Sequence, residues 1–245
     1  HMEAGNRCWD WNVPEMVNRT IVDHIADVNL PYTENSRRYL LSEGMDGKTI
    51  FVTGSPMHEV ISKNIERIKN SDVLTRLNLE KGKFIIVSAH REENIDIEDN
   101  FVELINSINE IAEKYQVPVI YSTHPRTRKF IEKRKIIFHP LVQNVKPLGF
   151  LDYVKLQANA LLVLSDSGTL TEESAILGFP GVLIRTSTER PEGLDAGTIV
   201  VGGIKSRDVL SAAELAIKIS KESPISKLPI DYETTDVSTK VVKVI

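Results

Sequence analysis

The chain has 245 residues, 41% hydrophobic and 26% charged, a balance that supports one large folded domain or two smaller ones. A net charge of −4 excludes the basic footprint of nucleic-acid binders and gives no attraction to an anionic membrane. The single cysteine, Cys8, excludes an internal disulfide framework and points to a reducing cytoplasm. No apolar run approaches the ~20 residues of a membrane span, and no signal peptide stands out.

In chain order, the pattern predicts a helix over 14–28, with Pro14 in the first turn, and a second over 33–43 stopped by Gly44. "TIFVTG" (49–54) reads as a short buried strand and "PMHEVISKNIERIKN" (56–70) as a helix. A strand over 83–89, an amphipathic helix over 97–115 and strands over 117–124 and 135–140 follow. Then come a helix over 151–160, a strand over 161–166, a helix after "SDSGT", strands over 181–187 and 198–203, and a helix over 206–223. The strands are apolar on both faces rather than alternating, as parallel strands covered by helices must be. Strand–helix alternation of this kind predicts a doubly wound α/β fold with right-handed crossovers. Residues 83–203 hold enough strands for a complete Rossmann-like sheet. Residues 1–60 hold too few for a sheet of their own and read as the tail of another α/β domain.

Ligands of such folds bind beyond the carboxyl ends of the strands. Those ends carry His90, Arg91, Glu92 and Glu93, then His124, Arg126 and Arg128, then "SDSGT", then Thr186, Thr188, Glu189 and Arg190. Donor groups gathered at one sheet edge suit an anion. In "SDSGT" the amides of a helix start, the hydroxyls of Ser167 and Thr169 and the bare backbone of Gly168 suit a phosphate. Plain helix capping is the alternative. The stretch lacks the Gly-Lys-Ser/Thr of a P-loop and is not a Gly-x-Gly-x-x-Gly turn. Glu172 and Glu173, one turn on, suit a ribose diol or simply favourable placement near a helix N-terminus. His90 and His124 each end an apolar strand and precede an arginine, which favours function. His58 and His139 read as structural and His24 as packing. No metal-ligand spacing is present. Glu3 and Glu15 offer two carboxylates for acid and base work, though isolated glutamates are common on surfaces.

Taken together, "HMEAGNR" (1–7), "VPEMVNR" (13–19), "TGSPMHEV" (53–60), "SAHREEN" (88–94), "STHPR" (122–126) and "SDSGTLTEESAILGFPGVLIRTSTERPEGLDAGT" (165–198) resemble the non-hydrolysing UDP-N-acetylglucosamine 2-epimerase family. The resemblance runs along essentially the whole chain. Family members continue upstream of the His-x-Glu-Ala-Gly segment, and they have a histidine where His1 stands. The resemblance therefore implies a start within the family's first domain rather than a cloning scar at His1-Met2. The implied fold is two Rossmann-like domains with a cleft between them, of the GT-B type. It divides this chain into 1–60 from the first domain, 61–230 as the nucleotide-sugar domain and 231–245 as a C-terminal helix returning to the first.

The implied reaction inverts C2 of a UDP-2-acetamido sugar by eliminating and re-adding UDP, without cofactor or metal, in surface polysaccharide supply (capsule or O-antigen). A cytoplasmic homodimer is also implied. By motif, Glu3, Glu15 and His90 fall on catalytic positions. Ser167, Gly168 and Thr169 fall on the phosphate turn, Glu173 on the ribose glutamate, Arg190 on the loop arginine, His124 on a pocket histidine and Tyr153 on an aromatic beside the uracil. "AHREE" at 89–93 departs from the Gly-His-Arg-Arg-Glu common in the family, and "HPRTR" also departs from the commonest pattern. "HMEAGNRCWD", "HREEN" and "THPRTR" look more like the branch forming UDP-N-acetyl-L-fucosamine from the L-talo sugar, which stays as an alternative. Two others are a UDP-sugar-binding module without turnover and a GT-B glycosyltransferase; the Glu3 and Glu15 segments favour an epimerase over the last.

Overall fold

A computed structural model describes residues 1–11, 13–223 and 228–245. The chain forms two compact units, one of His1–Lys63, Ser187–Gly197 and Ser226–Ile245, the other of Asn64–Thr186 and Thr198–Ile225.

The second unit is built on six parallel strands: β1 Ile85–Ser88, β2 Val119–Ser122, β3 Val142–Val145, β4 Leu162–Ser165, β5 Gly181–Leu183 and β6 Ile199–Val201. Their order is β3-β2-β1-β4-β5-β6. β1 therefore sits at the centre, pairing Ile86 with Ile120 on one side and with Val163 on the other. The strand order reverses between β1 and β4, the place where doubly wound sheets hold ligands. Alternate strand residues feed two cores. Ile85, Val87, Val119, Leu162 and Val182 pack beneath helices Glu98–Tyr115 and Ser206–Glu222. Phe84, Ile86, Ile120, Val163 and Leu183 pack on the other face with Leu156 and Leu170. Burial on both faces is why β1, β2 and β4 read as continuous apolar runs.

Two expected strands differ. The run 135–140 is not a strand. Lys135 takes a left-handed conformation (φ 50°) after helix Pro125–Lys133, so the chain turns there. Ile136 and Phe138 then pack against the first core while Ile137 stays exposed. The true edge strand is the more polar Val-Gln-Asn-Val of β3, which has only β2 as a neighbour. The run 49–54 also fails to form a strand. Gly47–Thr49 is a 3-10 turn, and Ile50 makes a single parallel bridge to Asn29. Phe51 and Thr53 donate to the carbonyls of Asn29 and Pro31, but Pro31 has no N–H to return, so the ladder stops.

The first unit holds helices Pro14–Ile25 and Glu34–Ser42, the latter capped by Thr33, whose side chain accepts from the Ser36 amide. A second parallel bridge joins Met2 to Leu30. Helix Val237–Val244 packs Val237 and Val241 on Leu30. Arg7, fully buried, holds Glu43 through two bonds of 2.7 Å and Asp23 through a third of 2.7 Å. Asp23 also accepts the Gly5 amide at 3.1 Å. His24, expected to pack, is half exposed with Nε2 3.2 Å from Glu43. His58 Nδ1 lies 3.0 Å from the Tyr232 carbonyl and His139 Nε2 lies 3.0 Å from Glu113. Ser187–Gly197 groups with this unit although it lies between β5 and β6 in sequence, which the strand–helix rhythm has no means to reveal. No helix among the described residues is long and apolar enough to cross a membrane.

Candidate active site

The carboxyl ends of β1 and β4 are tied together by one side chain. Asp166, the first residue after β4, is completely buried. Its Oδ2 accepts the backbone N–H groups of His90 and Arg91, each at 2.8 Å, and the Asn94 side-chain amide at 3.1 Å. Arg91 Nε donates to the Asp166 carbonyl at 2.9 Å. The turn leaving β1 is thus pinned to the turn leaving β4 at the point where strand order reverses. His90 emerges there with its imidazole 52% exposed and Nδ1 3.5 Å from Asp166 Oδ1.

Beneath them, the Tyr153 hydroxyl bonds to Ser88 and Ser165 at the same two strand ends. Burial raises its pKa, and the carboxylates of Glu173 and Asp166 push the same way, so the phenol stays protonated. Its ring packs on the second core.

The Ser167–Thr169 turn opens helix Leu170–Leu177. Ser167 N–H is satisfied by Ser165 Oγ at 3.1 Å, and the hydroxyls of Ser167 and Thr169 lie 3.0 Å apart. Thr169 gives the helix no side-chain cap, which removes the capping explanation for its hydroxyl. Among the described residues, no protein acceptor takes the amides of Gly168 or Thr169. Two amides and two hydroxyls at a helix N-terminus form an anion cradle. One turn on, Glu173 is buried and accepts from Gln157 Nε2 at 2.6 Å. Glu172 is buried as well.

His124 follows β2 and lies at the surface as the N-cap of helix Pro125–Lys133, accepting the Arg126 amide on Nδ1 at 3.4 Å. Arg126 is committed to Glu92 at 2.6 Å and Asp96 at 2.5 Å. Arg128 turns to Thr123 and Asn144.

In the first unit, Glu3 has φ 61°, a left-handed conformation uncommon outside glycine and asparagine. Its Oε1 lies 2.9 Å from Arg190, 3.1 Å from Asn6 and 3.5 Å from Arg19. Arg190 is buried and caps the short helix Pro191–Asp195. Glu15 is exposed in the first turn of helix Pro14–Ile25.

The candidate residues other than Glu15 thus fall into two clusters. His90, Tyr153, Ser167, Gly168, Thr169 and Glu173 lie on the β1 and β4 side of the sheet unit, with His124 at the β2 end. Glu3 and Arg190 come together in the other unit across 187 positions of sequence. Sequence reasoning missed Asp166, Gln157 and Glu192. Asp166 sits in a quoted motif but passes for a capping residue. Glu192 is buried, bonded to Thr33 and Asn35, and burial raises its carboxyl above the ordinary range. Among the described residues, no three His, Cys, Asp or Glu side chains group to hold a metal ion.

A doubly wound sheet of this order, with a donor-rich turn at its switch point, defines the class: a Rossmann-like α/β protein whose strand-end turn has the chemistry to accommodate an anion. The family profile described as UDP-N-acetylglucosamine 2-epimerase matches residues 1–245, and the chain belongs to that family. It is 33% identical over 224 residues to UDP-N-acetylglucosamine 2-epimerase of Methanocaldococcus jannaschii, covering 89% of this chain and 61% of that protein. Among solved structures, UDP-N-acetylglucosamine 2-epimerase from Rickettsia bellii is similar with TM-score 0.88 and 40% identity, over 100% of this chain and 66% of that one. The Methanocaldococcus jannaschii enzyme in complex with UDP-GlcNAc and UDP is similar with TM-score 0.90 and 30% identity, over 100% and 67%. The chain thus spans less than two thirds of the length of this and other similar curated relatives.

Proposed function

We propose that this chain acts in the epimerisation of UDP-N-acetylglucosamine at C2. The single observation that carries the reading is the family match along residues 1–245, which includes the donor-rich turn at the sheet's switch point. The Ser167–Thr169 turn takes the diphosphate on its amides and hydroxyls. Glu173, oriented by Gln157, takes the ribose hydroxyls. Tyr153 supports the base, and His124 and Arg190 complete the UDP contacts. Glu3 and Glu15 are the proposed acid and base groups, and His90 faces the departing diphosphate. In the forward step a carboxylate removes the C2 proton while the C1–O bond to UDP breaks, giving a 2-acetamidoglycal and UDP. In the return step a proton is delivered to the opposite face of C2 and a UDP oxygen rebuilds the bond at C1. Protons and electrons balance within the cycle, so the scheme calls for no redox partner.

The names of the relatives support UDP-N-acetylglucosamine over the L-talo substrate. The family resemblance alone supports a cytoplasmic homodimer supplying surface-polysaccharide precursors.

Calorimetric titration of UDP tests the binding half. Ser167→Ala is expected to weaken UDP binding, and no heat at about millimolar nucleotide with the folded chain would refute the reading. Deuterium uptake at C2 in heavy water tests the chemistry. Glu15→Gln is expected to slow it by about 10²–10⁴-fold while sparing UDP affinity.

A further inference from the structure

We infer that Asp166 is a positioning residue for His90: its Oδ1 receives the His90 Nδ1–H, which fixes the imidazole tautomer and leaves Nε2 as the outward proton acceptor. The functional meaning rests on the reading above; the geometry stands without it.

The two oxygens of Asp166 are used unequally. Oδ2 takes three donors, and those three bonds are sufficient to anchor the turn leaving β1. Among the described residues Oδ1 is buried with no hydrogen-bond partner, although a buried carboxylate oxygen is costly to leave unpaired. His90 Nδ1 lies 3.5 Å away, just beyond a good bond, on a half-exposed ring. Other donors around Asp166 are directed elsewhere: Tyr153 bonds to Ser88 and Ser165, the Tyr121 hydroxyl faces the Ala89 carbonyl at 3.5 Å, and Arg91 Nε holds the Asp166 carbonyl. A neutral imidazole carries one N–H, so a proton held at Nδ1 leaves Nε2 bare. One carboxylate then fixes both the backbone and the ring of His90. The same logic operates in catalytic triads, where an aspartate selects the histidine tautomer.

The test uses the full chain labelled with 15N-histidine, at about pH 8.5, where an ordinary histidine near 6.5 is neutral. Two-bond nitrogen–proton correlations report which ring nitrogen carries the proton, and His90→Gln assigns the signal by removing it. The wild type is expected as Nδ1–H. In Asp166→Asn, the side-chain oxygen still accepts from the turn while the new amide faces Nδ1, so the ring is expected to reverse to Nε2–H. The same tautomer in both proteins, or an Nε2–H ring in the wild type, would overturn the inference. If Asp166→Asn loses its amide dispersion, the wild-type spectrum decides alone. A parallel UDP titration separates the two proposals: absent UDP binding refutes the function and leaves the tautomer result standing.

Discussion

Gly5→Ala is expected to destabilise the first unit severely, for reasons that can be summed. Gly5 has φ 78°, and a Cβ there would lie 2.4 Å from the Ser36 carbonyl oxygen, 2.9 Å from its carbon and 3.0 Å from Leu40 Cγ. A left-handed alanine costs about 1–2 kcal/mol. Overpacking against fixed backbone adds about 1–3 kcal/mol, for about 2–5 kcal/mol together. That is a large share of the roughly 5–15 kcal/mol that holds a native domain together. Gly44→Ala is the internal control, because Gly44 has φ 87° but nothing within 4 Å of its added methyl. It should lose only the conformational part, about 1–2 kcal/mol. Urea unfolding followed by tryptophan fluorescence reports on this unit, since Trp9 and Trp11 both belong to it and Trp9 packs edge-on against Tyr39. With a slope of about 3 kcal/mol/M, the midpoint should fall by about 0.7–1.7 M for Gly5→Ala and about 0.3–0.7 M for Gly44→Ala. Equal losses would show that the Ser36 contact does not constrain the turn that carries Glu3.

Arg7→Ala removes the guanidinium from the buried Asp23 carboxylate, leaving it the His1 imidazole and the Gly5 amide, and should cost towards the lower end of about 3–5 kcal/mol, read from thermal unfolding. Lys63 and then Ser238 hold the Glu59 carboxyl down to about 2, below its ordinary 4.5. A depressed folded pKa contributes stability that is intact above 4.5 and lost as the pH falls towards 2. Protection factors for hydrogen exchange in helix Val237–Val244 should therefore fall over that window, and Glu59→Gln should flatten the dependence. Burial raises the Glu192 carboxyl, so its contribution to stability is present at low pH and lost as the pH rises past its folded value. Glu192→Gln should therefore gain stability relative to wild type as urea midpoints are followed from acid to neutral pH; no change with pH would refute that origin.

What the sequence made legible follows from range. The apolar runs of β1, β2 and β4 announce themselves because both faces of each strand are buried. The edge strand β3 escapes because Gln143 and Asn144 meet only one neighbour, whereas the apolar stretch before it turns aside at Lys135 to pack without pairing. Strand order is not local at all. Nothing between residues 83 and 203 says that β1 pairs with β4, yet that pairing makes "SAHREEN" and "SDSGT" neighbours. Motif matching named His90 and Ser167–Thr169 as candidate site residues.

It could not find the bond that joins them. A local reading of Ser-Asp-Ser-Gly finds a helix cap, while the Asp166 carboxylate reaches back 76 positions to the His90 amide. Glu3 and Arg190 repeat the pattern across 187 positions. His124 shows the converse. A local role as helix cap is visible in its Nδ1 bond, so the strand-end position that suggested a ligand contact has a nearby physical explanation as well. Short-range chemistry therefore nominates residues at this sheet edge, and long-range pairing decides which of them are held in place. His90 has such a holder in Asp166. For His124 the hydrogen bond at Nδ1 leads only to its own helix, and for that reason the tautomer experiment is aimed at His90.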